Sequence, residues 1–156
     1  SNGPPMKTHQ QLRDGFASLI ARAGRQWRRA VDRRLQPFGL TEATWLPLIY
    51  LARTPAPVRQ KDLAASLVLD GSSVVRLLDA LEAAGLIERR EESADRRAKT
   101  ITVTDRGLSI IDQVEAVSRD VRNATLVGLS PEQIEIATNV LDLVCQNLAK
   151  QQDSEA

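Results

Sequence analysis

Between residues 60 and 104 the spacing of apolar side chains changes once, and that change restricts the fold more than any other feature of the chain. Up to Gly85 they recur at steps of three and four: Leu63, Ala64 and Leu67, then Val74, Leu77, Leu78 and Leu81. Such steps place side chains on one face of a helix. Beyond Gly85 the period falls toward two. Residues 86–89 read as a short strand, and Thr100-Ile101-Thr102-Val103-Thr104 is alternating and β-branched, a second strand. Gly85 stands at the changeover because it adopts positive φ at little cost, and Leu86 falls where a Schellman cap sets its apolar residue, close to Leu81. A break at Leu69-Asp70-Gly71 separates the two helical stretches. Residues 91–99 are too charged for a core and read as a polar loop between the strands.

The flanks are helical. In the first segment Leu12, Phe16, Leu19, Ala23, Trp27 and Ala30 share one face, while Arg22, Arg25, Arg29 and Arg33 share another, most simply a solvated stripe. Gln36-Pro37-Phe38-Gly39 ends it. Thr41 is a good N-cap with Glu42 in the first turn, and a short helix follows through Trp45, Leu48, Ile49 and Ala52, with Pro47 expected to shift its start or kink it. Thr54-Pro55-Ala56-Pro57 is a stiff connector. After the strands, Asp105-Arg106-Gly107 starts a long helix carrying Ile110, Val114, Val117, Val121 and Ala124, broken at Gly128. Ser130-Pro131-Glu132-Gln133 is a helix start with a capping box, leading into Ile134, Ala137, Leu141, Val144 and Leu148.

The 156 residues suit one domain, and 42% apolar with 26% charged residues is the balance of an ordinary globular protein. The net charge of +1 announces no nucleic-acid partner, so charge has to be read locally. Residues 22–34 hold six arginines and one aspartate. Cys145 is the single cysteine, which excludes an internal disulfide and fits a reducing cytoplasm. Neither a signal-peptide core nor an apolar run of about 18 residues is present, so no membrane partner is expected. Residues 1–5 read as a flexible tail ahead of Met6, the expected natural start. The soft groups are His9, in the expected tail, and Cys145, too few for a His-based nucleophile pair or a metal cluster. A phosphate-cradling glycine loop is also missing. An enzyme, a cofactor and a bound metal are therefore not expected.

Helix, tight turn, helix, strand, charged loop, strand is the order of a helix-turn-helix with a wing, in which the second helix enters the major groove of duplex DNA. The fold class read here is mainly α with a small β-wing. With Val74, Leu77, Leu78 and Leu81 buried, the second helix must expose Ser72, Arg76, Asp79 and Ala83, with Ser73 and Val75 at the flanks. Ser72 and Ser73 allow close approach at a helix N-terminus, which favours phosphate. Arg76 suits a guanine edge or a phosphate. Asp79 would repel DNA unless paired, so an arginine partner is expected. In the wing string Ser93-Ala94-Asp95-Arg96-Arg97-Ala98-Lys99, the cations Arg96, Arg97 and Lys99 suit a narrow, negative minor groove, and Asp95 is placed to orient one arginine. The alternatives are a plain cap with a solvated arginine, and a solvated charged turn.

These residues resemble the MarR family of bacterial winged-helix regulators. The resemblance is carried by Phe38-Gly39-Leu40-Thr41 with Trp45, by Lys61-Asp62-Leu63-Ala64, by the run from Ser73 to Glu82, by Gly85-Leu86-Ile87, and by Asp95-Arg96-Arg97-Ala98-Lys99 closed by Thr104 and Gly107. It covers residues 10–149, and the wing string is similar to that of the SlyA branch. One departure is Arg59, near the place where the helix before the turn usually has a Ser or Thr cap.

The resemblance implies a homodimeric, nucleoid-associated cytoplasmic regulator of one MarR-type domain, 1–156. Residues 41–104 would form the winged helix-turn-helix, and 8–38 with 106–150 the helical dimerisation region. It matches Arg97 to a minor-groove arginine and Arg76 to a DNA-facing one, on a pseudo-palindromic operator in double-stranded DNA. It also implies release by a small aromatic carboxylate in a crevice lined by Trp27 and Trp45, with an arginine of the first helix on the acid group; ordinary core tryptophans are the alternative. Two further alternatives are a redox sensor using Cys145, which lies well inside the last helix rather than near the N-terminus, and a protein-interaction module without DNA binding, which leaves the basic wing unexplained.

Overall fold

The computed structural model describes residues 3–55, 57–67, 69–92 and 95–155, with the backbone alone for 92 and 95–98. Helix α1 spans His9–Leu35 and is followed by a single 3-10 turn, Gln36–Phe38. Next come α2 (Glu42–Arg53), β1 (Val58–Arg59), α3 (Gln60–Ser66) and α4 (Gly71–Ala83). Strands β2 (Ile87–Glu92) and β3 (Asp95–Val103) precede α5 (Asp105–Thr125) and α6 (Pro131–Glu155). The chain is therefore mainly helical with one small sheet, as expected. It divides into two compact units, Ser1–Val121 and Arg122–Ala156.

Local signals account for most element ends. Gly85 has φ 75°, the Leu86 N–H donates to the Leu81 carbonyl at 3.0 Å and the Gly85 N–H to that of Glu82 at 2.9 Å. This is the Schellman cap, and it turns the chain from α4 into β2. At α6 the Ser130 hydroxyl accepts from the Gln133 N–H at 3.1 Å, and the Gln133 side chain accepts from the Ser130 N–H at 2.9 Å. Thr8 and Gln11 form the same reciprocal pair at the start of α1, so His9 lies in a helix and not in a tail. Thr41 precedes α2 but makes no side-chain cap bond; its hydroxyl lies 3.4 Å from that of Thr44. Pro47 neither ends α2 nor shifts its start, and it is buried within the helix.

The sheet order is β1-β3-β2, antiparallel throughout. Strand β1 has only two residues, with Val58 opposite Ile101, and the sequence pattern did not reveal it. The hairpin is longer than expected: β3 begins at Asp95, so residues 95–99 are strand where a loop was expected. The pairing runs from Ile87 opposite Val103 to Glu91 opposite Lys99, with a register shift between Glu91 and Glu92.

The winged-helix core gathers Leu48, Leu51, Val58, Leu63, Val74, Leu78, Leu81, Leu86, Ile87, Ile101 and Ile111. Leu48, Leu63 and Leu78 are fully buried, and a leucine so placed contributes about 1.5–3 kcal/mol. A second cluster joins Val31, Leu35, Leu40, Trp45, Ile49, Val114 and Val121. On α5 the more deeply buried isoleucine is Ile111, one position beyond the expected Ile110, which is partly buried. Helix α6 has no buried residue, and Leu141 and Leu148 of its apolar face are exposed.

Candidate nucleic-acid interface

Helices α3 and α4 are held by their apolar stripes. Leu63 of α3 and Val74, Leu78 and Leu81 of α4 enter the same core, which fixes the outer face of α4. The α3–α4 connection is closed by the Leu67 N–H donating to the Leu63 carbonyl and the Leu69 N–H donating to the Ala64 carbonyl, both at 3.0 Å.

Asp70 caps α4. Its carboxylate accepts the Ser73 N–H at 2.7 Å and the Ser72 hydroxyl at 2.9 Å. Those donors, the Ser73 backbone first, hold the Asp70 carboxyl below its ordinary value of 3.8. The helix therefore starts at Gly71, and the Asp70 carboxylate engages both Ser72 and Ser73 at its N-terminus. Ser72 is exposed and Ser73 half-buried. Arg76, one turn further, is exposed and has no hydrogen-bond or ion-pair partner among the described residues.

Asp79 has the expected arginine partner, and it is Arg89 of β2. The Arg89 guanidinium donates to Asp79 and, at 3.1 Å, to Glu82. The Arg89 backbone N–H adds a bond to Glu82 at 3.0 Å. The Arg89 side chain is only 14% exposed between these two carboxylates. One cation thus neutralises both acids on the outer flank of α4 and ties the hairpin to that helix. The sequence reading foresaw the pair but not the residue, because no local spacing links β2 to α4.

Lys99 lies near the outer end of the hairpin, exposed, in register with Glu91. Asp95, Arg96 and Arg97 lie on the outer half of β3, and their side chains fall outside the described residues, as do Ser93 and Ala94. The structure therefore brings Ser72, Ser73 and Arg76 together at one helix end and places the wing cations on the adjoining hairpin. Asp70 and Arg89 were missed. An Asp three residues before Ser73 was a legible capping signal.

The two tryptophans belong to the second core cluster. Trp45 is 3% exposed and its indole N–H donates to Asp32 at 3.2 Å, while Trp27 is half-buried. Asp32 lines a cavity of about 280 Å³ together with Arg25, Arg28, Arg29 and Glu42. Arg28 makes a long ion pair of 3.9 Å with Glu42, and Arg25 and Arg29 have no ion-pair partner among the described residues.

Residues 38–98 match the MarR family pattern. Over 86% of its length and 98% of the other chain, the protein is 38% identical to the transcriptional regulator PA3341, whose crystal structure superposes with a TM-score of 0.80. The chain belongs to the MarR family. Two other solved structures are similar to this MarR family chain. The S. aureus MepR–DNA complex is 25% identical, with coverage of 85% and 97% and a TM-score of 0.74. CouR from Rhodococcus jostii RHA1, bound to p-coumaroyl-CoA, is 29% identical, with coverage of 86% and 94% and a TM-score of 0.74. Family and fold make the chain a winged-helix transcription regulator. Among the described residues no helix is long and apolar enough to cross a membrane.

Proposed function

We propose that this chain binds double-stranded DNA as a homodimer at a pseudo-palindromic operator and so controls transcription from nearby promoters. The observation that carries this reading is the outer face of α4, with an unengaged Arg76 and with its acids Asp79 and Glu82 taken up by Arg89. A helix prepared in that way presents one cation to a major groove without two competing anions. Ser72 and Ser73 lie against the same groove wall. Arg96, Arg97 and Lys99, with Asp95 to orient them, reach the adjacent minor groove from the hairpin. The MepR complex, a DNA-bound relative, supports the reading.

Residues 41–104 form the DNA-reading part, and 8–38 with 106–150 the dimerisation region. Exposed apolar side chains support the latter. Leu12, Phe16 and Leu19 on α1 and Ile136, Val140, Leu141, Leu143 and Leu148 on α6 are all at least 43% exposed. Surfaces of that kind mark association sites. Two-fold symmetry then sets half-sites about one helical turn apart. The protein acts in the cytoplasm, on the bacterial nucleoid.

A small aromatic acid releases the dimer from DNA. Its acid group meets the arginines of the cavity formed by Arg25, Arg28 and Arg29 with Asp32 and Glu42. CouR, bound to p-coumaroyl-CoA, supports an aromatic effector in general, and the free acid group is this proposal's own. The ligand acts only if it binds the two dimer shapes unequally.

Selection of bound duplex from a random pool tests the central reading and should return an inverted repeat. In a salt titration on that site, Arg97→Ala weakens binding broadly and flattens the salt slope, whereas Arg76→Ala also relaxes base preference. If both variants bind like the parent, these residues do not form the interface.

A further inference from the structure

Among the described residues of the winged-helix part, large apolar side chains are exposed only near the start of α4. From Leu40 to Gly107, the large apolar side chains exposed among the described residues are Leu69, at 38%, and Val75, at 40%. Leu69 precedes the Asp70 cap, and Val75 sits in the second turn of α4. The exposed apolar residues of this part therefore flank the N-terminus of the helix that the proposed function places in the major groove.

Val75 stands one turn beyond Ser72, beside Arg76 and one turn before Asp79, all exposed. Its neighbours Val74 and Leu78 fill the core, and Val75 does not. Neither packing nor helix propensity accounts for it. A β-branched residue at an exposed helical position is less favourable than Ala, Lys or Glu because its χ1 freedom is lost against the preceding turn. Nor does Val75 offer a phosphate anything to bind. One feature of the major groove does match it: the C5-methyl of thymine, which is read by apolar contact and which no other base carries.

We infer that Val75 is a specificity-determining residue that reads the C5-methyl of a thymine in each half-site, next to the polar contact made by Arg76. The inference rests on α4 being the DNA-reading helix and goes beyond it by naming the base and the atom. Arg76 supplies charge and a bidentate donor, which suits guanine or phosphate, and Val75 supplies shape. Asp79, bound by Arg89, is kept from placing an unpaired carboxylate beside that methyl.

The test uses the full chain and an operator obtained by selection, with each thymine of a half-site replaced in turn by deoxyuridine. This change removes one methyl and leaves the base pairing intact. One position should weaken binding about fourfold, the value of one apolar carbon. Val75→Ala should bind the unmodified operator more weakly and lose the uridine effect at that position. The loss of binding caused by Arg76→Ala should be the same in the Val75→Ala background as in the parent. Val75→Thr, which keeps the branched shape, guards against a folding defect in the alanine variant, and an unchanged Tm verifies both. A parent that binds its operator tightly with a flat uridine profile overturns this inference alone, as does a Val75→Ala protein that keeps the uridine effect. A parent that binds no duplex overturns the reading of α4 and this inference with it.

Discussion

The Arg89 guanidinium on β2 donates to the Glu82 carboxylate on α4 at 3.1 Å, and the Arg89 backbone N–H donates to the same group at 3.0 Å. The same guanidinium also holds Asp79, so one side chain adds a polar tie between the hairpin and the helix beside it. Arg89→Ala should therefore leave the helix content unchanged and weaken operator binding on the order of tenfold, comparable with the loss of one good contact. The comparison is Arg90→Ala. Arg90 is 75% exposed and pairs with Glu88 on its own strand, so circular dichroism and anisotropy titration should show little change for that variant.

Acid should undo the same clamp. Donation from the Arg89 side chain, and then from its backbone, holds the Glu82 carboxyl below its ordinary 4.5, with Asp79 acting weakly in the opposite direction. A depressed folded-state value means that the stabilisation is fully present above 4.5 and is lost as pH falls through the lower folded value. Urea unfolding of the wild type and of Glu82→Gln should show the wild type more stable near about pH 6, with the gap closing under acidification below the unfolded-state value. A gap that stays constant across that range would exclude the linkage.

Gly107 is packed where no side chain fits. A Cβ there would stand 2.2 Å from the Leu86 carbonyl oxygen and 2.6 Å from Val103 Cγ1. Thr104 closes the same junction: its hydroxyl donates to the Gly85 carbonyl at 2.6 Å and accepts the Gly107 N–H at 3.1 Å. Gly107→Ala should cost about 1–3 kcal/mol or more, because the clashing atoms include backbone that cannot swing aside. Thermal denaturation reads this directly, and an unchanged Tm would contradict the packing described.

Helix α6 contributes no buried residue, so a charge on its apolar face should spare the winged helix. Leu141→Glu should give a folded monomer in sedimentation velocity and weaken operator binding, since each monomer then engages one half-site alone. A variant that stays dimeric would place the dimer contact elsewhere.

The sequence alone determined what depends on neighbours a few residues apart. The switch of period at Gly85, the Schellman contact of Leu86 with Leu81, and the capping box of Ser130 and Gln133 are all local, and each stands as read. The α3–turn–α4 order and the exposed Arg76 followed from the same periodicities. Tertiary structure decided the rest. The partner of Asp79 is ten residues away on a different element, and β1 is a strand only because β3 runs beside it. The hairpin reaches down to Asp95 because antiparallel pairing extends strand through residues whose polarity alone suggests a loop. Trp45 became a core residue when Asp32, thirteen positions earlier, supplied an acceptor for its N–H. Periodicity reports which face of an element is apolar, but only the assembled chain fixes what that face meets, because burial and ion pairing are properties of two elements at once.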